Sequence, residues 1–396
     1  MLSTFVSLWR RYETILGPLC GLVFVWTLFA LLTTLKQHHD YADNDISWME
    51  AFKSAWFNPN NLTDIVSQST IVGVAALGAT IILISGGLDL SVGSTIALST
   101  IVTALLLRMG MHPAVAMAGG VGAGALAGLT IGHMVIGNIG WIAPMFLVFL
   151  ITIRVVPSFG FGIGLSFLVG AACIAAVGGA GWAITRLTIR RIELTPFIVT
   201  LGMMAILRGT TLSLVPSGQT EIKPSQDLGF LADFMRSGPL GLPSATWVFL
   251  GLAVGMALLL RYTAFGRHLF AIGSNEETAR LCGIPVPRTK ALIYMLAVGL
   301  AGMAGVMQFC HINCTGSATV AEGIELTVIA ACVIGGTSLS GGEGSIIGTL
   351  IGVLILKVVS IGCSKMGWDS WVQLVVTGSI ILAAVVLDRL RHRKPA

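Results

Sequence analysis

Residues 14–35 read TILGPLCGLVFVWTLFALLTTL, an uncharged and mainly apolar run of 22 residues. A helix needs about 20 such residues to cross the hydrocarbon of a bilayer, so this stretch is long enough to span one. Arg10 and Arg11 precede it, but the run exceeds the apolar core of a secretory signal and lacks a small-residue cleavage site. It reads as a retained first span with a basic cytoplasmic flank, and not as a cleaved or twin-arginine leader.

Similar windows recur at 62–84, 88–107, 113–136, 139–156, 161–185, 196–215, 245–261, 290–310, 324–335, 344–362 and 370–387. The shortest, 324–335, is under-length alone and is expected to borrow residues before Ile324 or to end inside the membrane. The expected fold is all-α: a polytopic transmembrane helix bundle of about 10–12 spans, forming a single domain over 1–396. Composition agrees. Of 396 residues 55% are apolar and 10% charged, against about 25% charged in soluble domains. That excludes a soluble enzyme, and it excludes disorder, which needs low hydrophobicity and high net charge. The 49 glycines have no triplet period, which rules out collagen, and they suit close helix packing in lipid. A net charge of +5 is too mild to argue for nucleic acid. The seven cysteines lie mostly in apolar stretches (Cys20, Cys173, Cys332) and suggest buried thiols with no disulfide framework.

Charge sets the expected topology. With twelve spans and a cytoplasmic N-terminus, the inner segments hold Arg10, Arg11, Arg186, Arg190, Arg191, Arg261, Arg267, Arg280, Arg288, Lys290, Arg389, Arg391, Arg393 and Lys394. These are fourteen of the 23 basic residues. The first outer loop carries Asp40, Asp43, Asp45 and Glu50 against Lys36 and Lys53. Basic residues favour the cytoplasmic side, so both termini are expected there. Most of Trp9, Trp26, Trp48, Trp56, Trp247, Trp368 and Trp371 fall near span ends, as an interfacial belt would.

Glycines mark the packing faces. Gly120, Gly124, Gly128 and Gly132 lie four apart, as do Gly344, Gly348 and Gly352, which puts each set on one helix face. Gly86-Gly87-Leu88-Asp89-Leu90-Ser91 and Gly335-Gly336-Thr337-Ser338-Leu339-Ser340 form an internal echo, each between two apolar runs. The echo points to a duplicated half, and Gly-interrupted helices in matching positions point to a transport pathway. Asp89 at such a junction is either part of a broken helix near a gate or the helix start of a cytoplasmic hairpin. Both readings keep its charge away from lipid, with Gly86 and Gly87 loosening the backbone and Ser91 capping the helix that follows.

The segment 261–290 is the longest polar inner stretch. Ser274 and Glu277 have capping-box spacing, Gly283 supplies a left-handed stop and Pro285 blocks continuation, so roughly two turns of short helix are expected between them. A capped helix between two spans is suited to dock on a soluble partner. Thr195-Pro196-Phe197 opens a span, since proline loses no useful N–H in a first turn; Phe197 and Thr200 are candidates to line an inner gate. Cys310, His311 and Cys314 lack an apparent fourth ligand, so no metal site is assigned. No Gly-x-x-x-x-Gly-Lys-[Ser/Thr] loop occurs, so no ATP site of that kind is present, and no catalytic constellation is discernible.

Several stretches together resemble the permease subunits of bacterial ATP-binding-cassette importers for simple sugars, the ribose, xylose, arabinose and galactoside group. They are Gly86–Ser94, Thr195–Gly202, Arg208-Gly209, Phe265-Gly266-Arg267, Ala271–Arg280, Gly335–Gly342 and Leu387–Arg391, in family order from about Phe57 to the tail. The resemblance implies a multi-pass inner-membrane subunit with no ATPase of its own. It implies a second permease copy (itself or a paralogue), a cytoplasmic ATPase subunit that binds the ATP, and an extracytoplasmic solute-binding protein docking on the outer loops 37–61 and 216–244. The segment at Ser274, Asn275, Glu276, Glu277, Ala279, Arg280 and Gly283 matches the one through which such permeases engage their ATPase. Gly86, Gly87, Asp89, Ser91, Pro196, Phe197 and Thr200 are the candidates for the pathway or gate. The sequence departs from the family at 137–170, where extra apolar material stands, and at Gly178-Gly179-Ala180-Gly181, where the family's usual Asn is missing. The expected function is import of a monosaccharide or similar small polar solute. The alternatives are a permease for branched-chain amino acids or another non-sugar ligand, or an ion-coupled transporter working alone.

Overall fold

A computed structural model describes residues 2–40, 59–137, 195–216, 218–224 and 228–391. The windows 139–156 and 161–185, the 137–170 insertion beyond Gly137, the basic stretch 186–191 and most of the first outer loop lie outside the described residues. The described chain is helical: α1 (Leu2–Asp40), α2 (Pro59–Ile84), α3 (Val92–Arg108), α4 (Pro113–Val135), α5 (Pro196–Leu214), α6 (Gly229–Phe234), α7 (Ser244–Tyr262), α8 (Ala264–Ser274), α9 (Glu276–Leu281), α10 (Val286–His311), α11 (Ile324–Ile334), α12 (Ile346–Lys365) and α13 (Ser370–Arg391). Two short strands, β1 (Glu221–Ile222) and β2 (Gly316–Ser317), pair antiparallel.

Each of the ten windows that fall on described residues contains a helix. Among the described residues, seven helical segments are long and apolar enough to cross a membrane, in α1, α2, α4, α5, α7, α10 and α12. The protein is a polytopic helical bundle. Of the two alternatives for the 324–335 window, the first does not hold, because α11 borrows nothing before Ile324. Gly323 precedes it in the left-handed conformation, at φ +75°, and the 11 residues of the helix rise only about 16 Å.

The chain forms two compact, interleaved units. One comprises residues 1–86, 229–279 and 323–396. Here α12 packs against α1, α2 and α11. Gly348 and Gly352 let α12 approach the last turn of α11 so closely that a Cβ at either would overlap the carbonyl of Gly335 or Ala331. Thr80 and Thr349 place their hydroxyl oxygens 2.8 Å apart across the α2–α12 contact, beside Cys332 of α11. Such buried polar links hold helices together where lipid offers no hydrophobic driving force.

The other unit comprises residues 87–228 and 280–322. Its centre is the α4–α10 pair, with α3 against both. The expected glycine face is real: a Cβ on Gly124 would lie 2.7 Å from the Gly302 Cα, and one on Gly132 would lie 2.9 Å from the Ala291 Cα. Gly128 faces the Tyr294 carbonyl, and Gly120 faces the α3 hydroxyls of Ser99 and Thr103.

A Gly128→Val substitution must push α4 off α10, an overpacking cost of about 1–3 kcal/mol. It is expected to lower the melting temperature of the detergent-solubilised protein by several degrees. Gly122→Ala on the same helix meets nothing within 4 Å and should leave the melt unchanged.

Candidate functional site

The segment expected to be a polar loop with one short helix is largely helical. Thr263 ends α7 and caps α8, accepting the Gly266 N–H at 3.3 Å. Gly266 is required there, because a Cβ would overlap the Leu260 carbonyl where the chain folds back on the last turn of α7. Along α8, Leu269 and Ile272 turn inward. Its apolar face makes it a helix, and charge density alone concealed that face.

The cap of α9 falls one residue later than the expected box. Ser274 closes α8, and Asn275 is the capping residue, its side-chain oxygen accepting the Thr278 N–H at 2.8 Å. The helix that follows has six residues, fewer than two turns. Glu276 and Glu277 in its first turn and Arg280 in its last suit the helix dipole. Gly283 is left-handed at φ +80°, the stop the sequence implies. Ala279 is buried, while Leu281 is 88% exposed. That leucine escapes a sequence reading because an apolar residue in a helix ordinarily faces inward.

The end of α8 rests on two helix interruptions. Gly273 lies against the Ile84 carbonyl, which ends α2, and a Cβ there would also come within 2.7 Å of the Gly342 nitrogen. The Gly342 N–H donates to that same Ile84 carbonyl at 2.8 Å. A Cβ at Gly341 would stand 2.8 Å from the Gly273 oxygen and 2.9 Å from the Gly86 Cα. Gly86, Gly341 and Gly342 all have positive φ, a conformation that glycine alone adopts at no steric cost. The two echo loops therefore meet each other and the end of α8, backbone to backbone. The pairing of these glycines is hidden in the sequence, although Gly273, Gly341 and Gly342 all sit inside its quoted motifs.

The echo loops differ in detail. In the first, seven residues separate α2 from α3, and Gly86 is left-handed. Asp89 is buried, and its Oδ1 accepts both the Ser91 N–H (2.8 Å) and the Ser91 hydroxyl (2.6 Å). Ser91 stands at the helix start, but its side chain makes no capping bond: its hydroxyl is turned to the carboxylate instead. In the second loop the left-handed residues are Gly336, Gly341 and Gly342, and Ser345 caps α12 through the Gly348 N–H at 3.3 Å.

Pro196 opens α5 as expected. The Thr200 hydroxyl is buried and donates toward the Leu88 carbonyl at 3.3 Å, so Thr200, Leu88, Asp89 and Ser91 are linked. Phe197 is 46% exposed and its ring is not buried with them. Gly87 is buried.

Comparison with known proteins adds the following. The family model described as "Branched-chain amino acid transport system / permease component" matches residues 61–139 and 136–385, in two pieces that meet at the start of the 137–170 stretch. The ribose import permease protein of Escherichia coli strain K12 is 30% identical over 337 residues, 85% of this chain and 88% of its own length. The ribose import permease protein of Bacillus subtilis is 34% identical over 338 residues, 85% and 86% of the two chains. The L-arabinose ABC transporter permease protein of Azospirillum brasilense is 30% identical over 339 residues, 86% and 83%. No solved structure matches.

Replacing a capping Asn by Ala costs about 0.5–2 kcal/mol, so Asn275→Ala is expected to speed amide exchange across 276–281 severalfold in hydrogen-exchange mass spectrometry. Ser274→Ala should leave that exchange unchanged; the reverse pattern would restore the cap to Ser274.

Proposed function

Because the chain belongs to the permease family described as the branched-chain amino acid transport system / permease component, we propose that it is the membrane-spanning subunit of an ATP-driven importer for a monosaccharide or similar small polar solute. The observation that carries this reading is coverage. Relatives named for ribose, galactose and arabinose import align over 85–86% of this chain and 83–89% of their own length in all but one case, an arabinose permease matched over 58% and 68%. The family description mentions amino acids, but the relatives named for a solute are named for sugars, which favours the sugar reading.

In this proposal α9 faces the cytoplasm and is the contact for a separate ATPase subunit, which binds the ATP. Asn275 and Gly283 fix the ends of the helix, Glu276, Glu277 and Arg280 supply polar contacts, and the Leu281 side chain is the apolar anchor. Buried Ala279 is the face turned inward, and Ser274 joins the helix to α8. A small helix with one protruding leucine and a charged rim resembles the buried-anchor, polar-rim anatomy of protein interfaces. Both termini are cytoplasmic, a second permease copy completes the pathway, and an extracytoplasmic binding protein delivers the solute. ATP and the loaded binding protein must favour different conformations of the pathway, since equal affinity for both would shift nothing.

The gate on this reading lies at the first echo loop and the start of α5. Gly86 and Gly87 permit the first to bend, while the Asp89–Ser91 bonds and the Thr200–Leu88 bond hold it to α3 and α5. Pro196 fixes where α5 starts, and Phe197 is a candidate for the exposed lip.

Leu281→Asp puts a charge where an apolar anchor is required, and it is expected to abolish co-purification of the ATPase subunit. The double charge reversal Glu276→Lys with Glu277→Lys should weaken that co-purification severalfold. Both variants should insert in the membrane at wild-type levels. Undiminished ATPase recovery with both would overturn the docking role of α9.

A further inference from the structure

A polar cleft opens at the C-terminal end of α10. It has a volume of about 400 Å³ and is lined by Glu221, Lys223, Ile312, Asn313, Thr315, Ser317, Thr319 and Val320, residues that all belong to one compact unit. The volume lies within the range of small-molecule sites, about 300–1,000 Å³.

Its construction is rigid. The strands pair Glu221 with Ser317 and Ile222 with Gly316, and the Ala318 N–H donates to the Thr220 carbonyl at 2.9 Å. The buried Thr100 hydroxyl of α3 accepts the Ser317 N–H at 3.1 Å. Gly316 lies so close to α3 that a Cβ would stand 2.6 Å from that of Ala104. Arg208 of α5 reaches the next turn of chain, donating to the carbonyls of Ala318 (2.7 Å) and Val320 (3.1 Å). The guanidinium of the Arg208-Gly209 pair thus holds the wall of the cleft. Asn313 and Cys314 leave α10 with positive φ, at 57° and 55°, a strained exit for Cys314 that the surrounding contacts must maintain.

The lining is chemically specific. Thr315 and Ser317 are 4% and 6% exposed and form a hydroxyl floor. Asn313, Thr319, Glu221 and Lys223 are exposed around it, and Ile312 and Val320 add apolar surface. One carboxylate and one ammonium leave the cleft with no formal net charge. It therefore offers donors and acceptors in number without a field that selects an ion. Hydroxyl groups both donate and accept, so a neutral molecule carrying several of them matches this lining better than an anion or cation does.

We propose that this cleft is a binding site for a neutral polyhydroxylated solute, a monosaccharide or sugar alcohol, seated on the Thr315 and Ser317 hydroxyls between Glu221, Lys223 and Asn313. The proposal rests on the importer reading and deepens it: the permease itself takes hold of the solute at the outer end of α10 before the pathway opens.

The full-length chain in lipid nanodiscs is titrated with D-ribose, L-arabinose, D-galactose and L-leucine, and binding is read by saturation-transfer NMR. At least one sugar should give a saturable signal, and leucine should give none. Glu221→Gln combined with Thr315→Val should weaken the sugar at least tenfold, Lys223→Met at the exposed rim severalfold, and Thr315→Ser should restore wild-type binding. Absence of a saturable sugar signal, saturable leucine binding, or sugar binding indifferent to these substitutions would each overturn the proposal. Uptake by the assembled complex separates the two claims. Sugar import with a KM unchanged by the cleft variants would sink the cleft and leave the importer. Sugar binding at the cleft without any sugar import by the complex would do the opposite.

Discussion

The Gly342 N–H donates to the Ile84 carbonyl at 2.8 Å, with Gly273 pressed against that same carbonyl. The ends of α2 and α8 and the second echo loop all meet at this contact. Inside a membrane protein, backbone that leaves the helix must find partners within the protein, because lipid supplies none. Two interrupted helices solve that problem here by partnering each other, and the solution tolerates no side chain at the point of contact. The end of α8 is included in the same junction, and α9 follows it after one residue, Asn275. A push on α9 is therefore a push on the two loops that break the helices. No flexible linker intervenes to absorb it.

Helix α10 extends the argument in the other direction. It starts five residues after α9 and runs for 26 residues, a rise of about 39 Å. The glycine face of α4 packs closely against it between Ala291 and Gly302. At its far end the chain turns through Asn313 and Cys314 into the wall of the polar cleft. In sequence, α9, α10 and the chain that lines the cleft follow one another directly.

Much of this is legible in the sequence, and what escapes has physical reasons. Apolar runs longer than any soluble core helix announce the bundle, because the thickness of hydrocarbon sets the length of a span. Gly283 marks its own left-handed turn, and the four-residue glycine spacing marks the α4–α10 face. The cap moves from Ser274 to Asn275 because both residues can cap, and α8 runs on through the exposed Ser274 before it ends. Ser91 has the residue type and position of a cap, but its hydroxyl is turned to donate to the nearby Asp89 carboxylate and its oxygen accepts no helix N–H. Nothing local reveals that Gly273 faces Ile84 and Gly342, residues distant in the chain, or that Arg208 grips the chain beyond Ser317. Such contacts are tertiary, and a spacing rule carries no information about them.

On the proposed function, α9 is where a separate, ATP-burning subunit moves this chain. Proteoliposomes containing the chain with its ATPase partner and binding protein test it directly, with radiolabelled sugar outside and ATP enclosed. The account requires uptake that depends on the enclosed ATP and ceases when the ATPase subunit is omitted. Sugar accumulation in vesicles holding this chain alone, driven by a proton or sodium gradient, would contradict it.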